Sequence, residues 1–130
     1  NSLNDYLQKN HLESYLFTFP PGEQEKSRER KAQLEDLLFS QKFNRDTCMI
    51  ALGGGVTTDL IGFLASTFCR GTLLVNIPTT LLAMVDAAIG GKTGVNTRFG
   101  KNLIGAFYPA NKIFIDPSLL SSLPDLEWTN

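Results

Sequence analysis

The sequence predicts an α/β fold in which helices cover the faces of a parallel sheet, and three observations support this. Short apolar runs of strand length recur at 47–52, 72–77 and 112–116. Segments with helical periodicity lie between them, and stretches rich in Gly or containing Pro mark the junctions. Alternation of strand and helix is typical of parallel sheets, because parallel strands need a long crossover connection.

Composition narrows the class of protein. The 130 residues amount to about one domain, and 42% hydrophobic with 19% charged residues is enough to build a core and too apolar for disorder. The formal net charge of −1 gives no reason to expect nucleic acid or an acidic membrane surface as a partner. The longest apolar runs are far shorter than the roughly 20 residues of a membrane span.

Cysteine usage and the chain start add two expectations. Cys48 and Cys69 lie in apolar stretches without CxxC spacing, which favours buried free thiols in a reducing cytoplasm over a disulfide. No secretion signal is recognised at the start. Because the chain begins at Asn1 rather than Met, we expect a processed piece or a fragment of a longer polypeptide.

The N-terminal third is predicted to contain two helices and a strand. A short helix is expected over 3–11, with Ser2 as its N-cap. The aromatic-rich segment 14–19 predicts a strand. The amphipathic pattern over 27–41 predicts a half-exposed helix that begins at Ser27 in an incomplete capping box.

The central part of the chain alternates strands and helices. The continuous apolar run 47–52 predicts a strand that is covered on both faces, and a helix is expected over 56–69. A second strand over 72–77 precedes a second helix over 79–89, which starts just after Pro78.

The last third is predicted to be less regular. Residues 90–102 are rich in Gly and polar side chains, which favours a loop without regular structure. A third strand is expected over 112–116, and Pro117 is expected to end it.

Three consecutive glycines, 53–55, lie between the first central strand and the helix after it. Unpaired N–H groups and the helix dipole bind anions at such a junction, and glycine lets a phosphate approach the backbone. The spacing differs from GxGxxG, because Thr58 takes the last glycine position, and no P-loop Gly-Lys-Ser/Thr follows. The stretch predicts a nucleotide or phosphate site. A tight turn that only packs closely is the alternative.

Asp59 follows the glycines, in the first turn of the predicted helix. The helix dipole alone favours a carboxylate there, at roughly 0.3–1 kcal/mol. A carboxylate at this position could equally accept hydrogen bonds from a ribose or nicotinamide group. Its position does not decide between the two.

A second glycine-rich segment carries two lysines, an aspartate and two amides, namely Asp86, Lys92, Asn96, Lys101 and Asn102. Ammonium groups bind phosphate or carboxylate, and a carboxylate accepts hydrogen bonds from hydroxyls. The segment therefore favours an anionic, polyhydroxylated ligand. A solvated loop with incidental charges is the alternative.

Together these stretches resemble 3-dehydroquinate synthase, the cyclase of the shikimate pathway. The residues that carry the resemblance are PGEQEKS (21–27), ALGGGVTTDLIGFLAST (51–67), RG (70–71), IPTTLLAMVDAAIGGKTGVN (77–96), GKNLIGAF (100–107) and LSSLP (120–124). They occur in order and cover nearly all of the chain after Pro20.

The resemblance implies an NAD-dependent enzyme with a Rossmann-like N-terminal domain and a helical C-terminal domain that holds zinc or cobalt. Members convert 3-deoxy-D-arabino-heptulosonate 7-phosphate, a sugar acid phosphate, into 3-dehydroquinate with elimination of phosphate. NAD is reduced and reoxidised within each turnover. Residues 1–130 would then form part of the NAD-binding domain of a homodimeric parent, without its first strand or two and without its metal domain.

The resemblance also implies roles for individual residues. Those that match cofactor-binding positions are Glu23, Lys26, Gly54, Gly55, Val56, Thr57, Thr58, Asp59, Thr79, Thr80, Lys92, Lys101, Leu119 and Ser122. Those that match catalytic or substrate positions are Asp86, Lys92, Asn102 and Arg70, the last reaching the phosphate of a neighbouring subunit's substrate. Basic groups around a departing phosphate stabilise its charge.

Several of these residues have an ordinary structural alternative when taken alone. Glu23 and Lys26 could be a charge pair at a helix entry, and Thr79 an N-cap. Arg70 could be a solvated cation at a helix end. Leu119 and Ser122 would be ordinary turn residues.

The sequence departs from the family pattern at two positions and offers no metal site. Thr58 stands where many relatives have Gly, and Leu126 replaces an arginine. The zinc ligands that the resemblance implies are a glutamate and two histidines beyond residue 130. The only histidine, His11, lies outside every matching motif, so no ligand set is expected in this chain.

We therefore expect the full-length parent to catalyse the cyclisation and this chain alone not to do so. A related sugar phosphate cyclase, such as 2-deoxy-scyllo-inosose synthase, is one alternative. A polyol dehydrogenase of the iron- or zinc-dependent class is a second, and a non-catalytic NAD-binding or dimerisation module is a third.

Overall fold

The structure is a computed structural model that describes residues 2–128, with side chains up to residue 126. It contains a three-stranded parallel sheet in the order β1-β2-β5 and a separate antiparallel hairpin of β3 and β4. The strands are β1 (Cys48–Gly53), β2 (Leu73–Pro78), β3 (Lys92–Thr97), β4 (Gly100–Phe107) and β5 (Lys112–Ile113). The predicted α/β class with a parallel sheet is confirmed.

Three α-helices and several short helical turns accompany the strands within residues 2–128. The α-helices are α1 (Ser2–Lys9), α2 (Arg28–Ser40) and α3 (Gly55–Thr67). A π-helix occupies Ala83–Ala87, and 3₁₀ turns occupy Glu23–Glu25, Phe68–Arg70, Pro117–Ser122 and Asp125–Trp128. The helix expected over 3–11 is therefore shorter, and Ser2 is its first residue rather than its cap.

α2 forms where its amphipathic pattern predicts. The Ser27 hydroxyl accepts a hydrogen bond from the Arg30 N–H at 3.1 Å, so it satisfies one of the unpaired donors of the first turn. Leu34 and Leu38 lie one helical turn apart and are the residues of α2 that are buried. The cap and this apolar stripe together determine where the helix starts and which face it buries.

α3 lies at the centre of the core because apolar residues occur all around it. Leu60, Leu64 and Ala65 are at most 2% exposed, and α3 packs against β1, β2, α2 and the β3–β4 hairpin. Leu74 of β2 and Val95 of β3 are fully buried in the same cluster. This packing holds the first turn of α3 at the end of β1.

The expectation that β1 is covered on both faces is wrong for the described residues. Met49 and Ala51 are buried against the core, whereas Ile50 and Leu52 are each 39% exposed. α1 and the segment 12–23 stand opposite this second face and leave an open cleft.

The strand predicted over 14–19 does not form. Phe17 and Phe19 pack against the core cluster, and the Tyr15 ring meets Phe43 edge-on at 5.2 Å. The aromatic pattern therefore reflects packing. No strand among residues 2–128 pairs with this segment, so its backbone forms no ladder.

The prediction of an irregular loop over 90–102 is also wrong, because β3 and the start of β4 lie there. Gly94 and Gly105 stand opposite each other in the ladder. A Cβ on Gly94 would lie 2.7 Å from the Ile104 carbonyl oxygen, and one on Gly105 would overlap the Thr93 carbonyl. These glycines therefore permit close approach of two strands instead of ending them.

The second predicted helix, 79–89, is shorter than expected and is mostly a π-helix. The Thr80 hydroxyl accepts a hydrogen bond from the Ala83 N–H at 3.3 Å and caps the start. The Ala88 N–H donates to the Ala83 carbonyl at 2.9 Å, which is the five-residue spacing of a π-helix. The third predicted strand, 112–116, is likewise reduced to the two residues of β5.

Candidate functional site

The carboxyl ends of β1 and β2 meet at the first turn of α3. The Thr79 N–H donates to the Gly53 carbonyl at 2.9 Å and ties the two strand ends together. A cleft of about 1400 Å³ opens beside this edge. Its lining includes Glu23, Gly54, Gly55, Val56, Thr57, Thr80 and Leu123. Ligands in open α/β sheets bind outside the carboxyl ends of the strands, so this is the candidate site.

The three glycines differ in how much space surrounds each of them. None of them has a positive φ. A Cβ on Gly53 would overlap the Thr57 side chain, and one on Gly54 would lie 3.0 Å from Thr80 Cγ2. A Cβ on Gly55 would make only ordinary contact with Ala87, at 3.6 Å. Close packing therefore explains the first two glycines and leaves the third free for another role.

The first turn of α3 offers unpaired donors to the cleft. The first backbone hydrogen bond of the helix runs from the Thr58 N–H to the Gly54 carbonyl at 3.0 Å. The N–H groups of Gly55, Val56 and Thr57 precede it, and the N-cap Gly54 has no side chain to accept from them. All three residues line the cleft. Together with the helix dipole, these donors favour an anion such as a diphosphate.

Thr58 and Asp59 lie behind this turn and do not line the cleft. Thr58 is 2% exposed, and its hydroxyl donates to the Gly55 carbonyl at 3.2 Å. The Asp59 carboxylate forms an ion pair with the Lys26 ammonium at 2.6 Å, and the side chains are 17% and 6% exposed. Lys26 and Asp59 therefore anchor the segment before α2 to the first turn of α3.

Three other predicted site residues lie close enough to Asp59 to affect the pKa of its carboxyl. Burial raises the pKa of the Asp59 carboxyl, the Lys26 ammonium opposes this increase, and the negative charges of Glu23 and Asp86 add to it. In the folded chain, the Asp59 carboxyl therefore binds its proton more tightly than an ordinary carboxylic acid does. These charges lie within interaction range although the sequence separates them widely.

A network of hydrogen bonds links the segment 23–26 to the hairpin of β3 and β4. Asn96 donates its N–H to the Lys26 carbonyl at 2.8 Å and its Nδ2 to Glu23 Oε1 at 2.8 Å. Its Oδ1 accepts the N–H of Asn102 at 3.0 Å. A smaller cleft of about 470 Å³ lies beside this network, and Lys101 lines it. Asn96 was expected to face a ligand, and its amide is instead bonded within the chain.

Asp86 and Lys92 lie on either side of a tight connection. Both are exposed. The Asp86 carbonyl accepts hydrogen bonds from the N–H groups of Ile89 and Gly90, at 3.0 and 2.9 Å, which ends the helix. The buried Asn76 amide donates to the Ala88 carbonyl at 3.0 Å and fixes the same end. Sequence reasoning missed Asn76, because nothing local distinguishes it from other strand residues.

Arg70 lies in a strained turn directly after α3. α3 ends at Thr67, and Cys69 and Arg70 follow with φ of 49° and 67°. Two consecutive non-glycine residues in the left-handed region are uncommon and persist only where the surroundings fix them. The Tyr108 hydroxyl donates to the Thr72 carbonyl at 2.5 Å, next to this turn. The Arg70 side chain is exposed and forms no ion pair with the side chains of residues 2–126.

Leu119 and Ser122 are not brought to the cleft. They lie in the Pro117–Ser122 turn, where the Ser122 hydroxyl donates to the Leu119 carbonyl at 2.9 Å. The neighbouring Leu123 and Pro124 line the cleft instead.

Among the described side chains, residues 2–126, no three His, Cys, Asp or Glu stand close enough to hold a metal ion. Cys48 and Cys69 are free thiols, as predicted, but Cys48 is exposed and Cys69 is half-buried, so the prediction that both are buried is wrong. Among the described helices none has the length and apolar character needed to span a bilayer.

Comparisons with known proteins agree on one relationship. A family model described as 3-dehydroquinate synthase N-terminal matches residues 16–130. The pentafunctional AROM polypeptide of Pneumocystis carinii is 54% identical over 115 residues, which are 88% of this chain and 7% of that polypeptide.

Solved structures give the same result. The 2-epi-5-epi-valiolone synthase ValA from Streptomyces hygroscopicus, with NAD⁺ and Zn²⁺ bound, has a TM-score of 0.89 and 38% identity. That match covers 96% of this chain and 35% of ValA. A 2-deoxy-scyllo-inosose synthase complexed with carbaglucose-6-phosphate, NAD⁺ and Co²⁺ has a TM-score of 0.89 and 32% identity, over 97% of this chain and 34% of that one.

Proposed function

The chain belongs to the 3-dehydroquinate synthase family, in its N-terminal part, and we propose that it supplies the NAD-binding portion of a 3-dehydroquinate synthase. The parent would convert 3-deoxy-D-arabino-heptulosonate 7-phosphate into 3-dehydroquinate. The observation that carries the proposal is the set of unpaired N–H groups at the first turn of α3, in a chain whose solved relatives bind NAD⁺.

The residues around this turn fit a dinucleotide. The N–H groups of Gly55, Val56 and Thr57 would hold the diphosphate, since a phosphate can approach Gly55 without meeting a Cβ. Glu23 lines both clefts, and its exposed carboxylate would accept hydrogen bonds from ribose hydroxyls. Thr80 would stand beside the nicotinamide half.

The remaining predicted cofactor residues fall into two groups. Lys26, Thr58 and Asp59 would act by holding the first turn of α3 in place, since their polar groups are bonded within the chain. Thr79, Lys92, Lys101, Leu119 and Ser122 lie outside the lining of the large cleft, and their proposed contacts to the cofactor follow from the family resemblance alone. When bound, NAD⁺ supplies an acceptor for a hydride from the substrate and returns it within the turnover.

The exposed charges would bind the sugar acid phosphate. The Asp86 carboxylate would accept hydrogen bonds from substrate hydroxyls, and Asn102 would donate to the substrate. The Lys92 ammonium would stabilise the charge that develops on the departing phosphate. Arg70 would reach the phosphate of a neighbouring subunit's substrate, which requires a homodimer, and the lack of an ion pair between Arg70 and the side chains of residues 2–126 supports that role.

The proposal concerns a longer parent protein. The chain spans 7% of the AROM polypeptide and about a third of the solved cyclases. The ligands for zinc or cobalt would come from a helical C-terminal domain, and we expect residues 1–130 alone not to catalyse the cyclisation. The parent would work in the cytoplasm, where the free thiols stay reduced.

Related cyclases remain the second candidate for the reaction of the parent. The 54% identity with an AROM polypeptide, against 38% and 32% with the two solved cyclases, favours 3-dehydroquinate synthase. Phosphate release from the full-length parent, measured separately with the heptulosonate phosphate and with glucose 6-phosphate, decides between the two reactions.

Titration calorimetry of the chain with NAD⁺ tests the cofactor site. Gly55→Asp adds a carboxylate at the first turn of α3, where a Cβ fits and the dipole stabilises a negative charge by about 0.3–1 kcal/mol. We expect this variant to fold normally and to bind NAD⁺ at least about tenfold more weakly, because the carboxylate repels the diphosphate.

Gly55→Asn is the matched control, since it has nearly the same size without the charge. Its side chain also obstructs the approach of a phosphate, so we expect it to weaken NAD⁺ binding, but less than Gly55→Asp does, because the amide carries no negative charge. Equal affinities for the Asp and Asn variants would show that the diphosphate lies elsewhere.

A further inference from the structure

We propose that Asn96 is a positioning residue that couples the cofactor-side carboxylate of Glu23 to the substrate-side backbone at Asn102. The inference rests on the proposed function and adds a residue to which no role in the site has been assigned. It is carried by three hydrogen bonds of Asn96. The backbone N–H and Nδ2 donate to Lys26 and Glu23, and Oδ1 accepts from the N–H of Asn102.

The backbone of β3 is shaped to aim this side chain. The ladder between β3 and β4 shifts register between Val95 and Thr97, so Asn96 is left out of the pairing with β4. It pairs instead with Ser27, in a parallel bridge at the entry of α2. Register shifts of this kind re-aim a side chain. Asn96 therefore sits where the cofactor-side segment and the hairpin touch.

The amide is the side chain that this position requires. Its Nδ2 donates to the Glu23 carboxylate, which is a charge-assisted hydrogen bond and fixes one orientation of Glu23. Its Oδ1 accepts from the Asn102 N–H on the other side. Aspartate keeps the acceptor and loses the donor, whereas alanine loses both.

The same hydrogen bond supports the left-handed backbone of Asn102. Its φ is 57°, a conformation that asparagine adopts more readily than most residues other than glycine. Such a conformation persists where neighbouring groups hold it. The hydrogen bond to Asn96 holds the backbone beside Lys101 and Asn102, the two residues of this segment proposed to contact ligands.

A physical consequence follows for binding. A dinucleotide that fixes Glu23 also fixes the Asn96 amide, and through it the Asn102 N–H. By reciprocity, a fixed Asn102 favours the orientation of Glu23 that binds the ribose. Asn96 then acts on the ligands through two neighbours and touches neither ligand itself.

Two variants, each examined by two measurements, test the hydrogen bond to Glu23 and the hydrogen bond from Asn102 separately. We expect Asn96→Ala to weaken NAD⁺ binding about tenfold, the effect of losing one hydrogen bond to a charged group. It should also accelerate hydrogen exchange of the Asn102 amide at least about tenfold. Asn96→Asp should weaken NAD⁺ binding at least as much, because two carboxylates then face each other, and should leave the Asn102 exchange rate near that of the wild type.

A double-mutant cycle and a control complete the test. In a Glu23→Ala background, Asn96→Asp should cause no further loss of NAD⁺ affinity, since its effect passes through Glu23. Asn10→Ala removes an exposed amide that bonds only the Tyr6 carbonyl, and it should change neither measurement. A purely structural role would lower the affinity in both backgrounds.

The outcomes distinguish this inference from the proposed function. If the wild-type chain binds NAD⁺ and the Asn96 variants bind it equally well, or if the Asn96→Asp effect adds fully to that of Glu23→Ala, the coupling is refuted and the cofactor site stands. If the wild-type chain binds no NAD⁺, the proposed function and this inference fail together.

Discussion

The two sides of the candidate site are built in opposite ways. On the proposed cofactor side, Lys26 and Asp59 form a buried ion pair, Thr58 is bonded internally, and Gly53 and Gly54 pack against Thr57 and Thr80. On the proposed substrate side, Arg70 and Lys92 are exposed cations without an ion-pair partner among the side chains of residues 2–126.

The two sides differ in whether their polar groups already have partners within the chain. The cofactor side is preorganised, because its polar groups already have partners and its free donors belong to a rigid helix turn. The proposed substrate side presents exposed charges and left-handed backbone at Arg70 and Asn102. Substitutions on the cofactor side should therefore affect stability, and those on the substrate side should affect binding.

The largest expected effect is on the buried ion pair. Lys26→Ala leaves the Asp59 carboxylate without its partner in a site that is 17% exposed, which should lower the free energy of unfolding by about 3 kcal/mol. Lys92→Ala, on the substrate side, should change it by no more than about 0.5 kcal/mol, because that side chain is exposed and unpaired within the described residues.

Urea unfolding of both variants, followed by circular dichroism, measures the contrast. Lys31→Ala is the control, since it removes the ion pair with Glu35 one turn along α2 and the contact of the Lys31 ammonium with the Phe63 ring, which together should cost about 1 kcal/mol. Equal losses for Lys26→Ala and Lys92→Ala would remove the distinction between the two sides.

A smaller effect is expected in the pH dependence of stability. The pKa of Asp59 is raised in the folded chain above its ordinary value of 3.8, chiefly by burial. The folded state therefore binds this proton more tightly than the unfolded state. The contribution of Asp59 to stability is fully present below pH 3.8 and is lost as the pH rises through the folded pKa.

Asp59→Asn removes this titration. The free energy of unfolding of the wild type relative to the variant should fall as the pH is raised from about 3.8 toward neutrality, measured by urea unfolding at several pH values. A difference that instead grows with pH would mean that Lys26, rather than burial, dominates the environment of Asp59.

The sequence predicts the regular core closely because its patterns are local. α2 and α3 follow helical periodicity, and β1 and β2 follow continuous apolar runs, so each lies within about two residues of its expected bounds. The position of the site at the end of β1 follows from the glycines and from the parallel topology.

The features that sequence reasoning missed depend on contacts between distant residues. Gly94 and Gly105 look like breakers of regular structure, and only their pairing across the hairpin shows that they permit close approach. Asn96 looks like a ligand contact until Glu23, far away in the sequence, is seen to bond it. The left-handed Cys69 and Arg70 carry no local signal beyond the glycine that follows them.

The central claim is that the first N–H groups of α3 hold the diphosphate of NAD⁺. It is tested most directly by NMR titration of the ¹⁵N-labelled chain with NAD⁺, followed at individual amides. The account predicts large shifts for Gly55, Val56 and Thr57 with a shared binding isotherm, and a smaller shift for Thr58, whose N–H is already bonded to Gly54. Saturable binding that leaves the amides of Gly55, Val56 and Thr57 unshifted would contradict it.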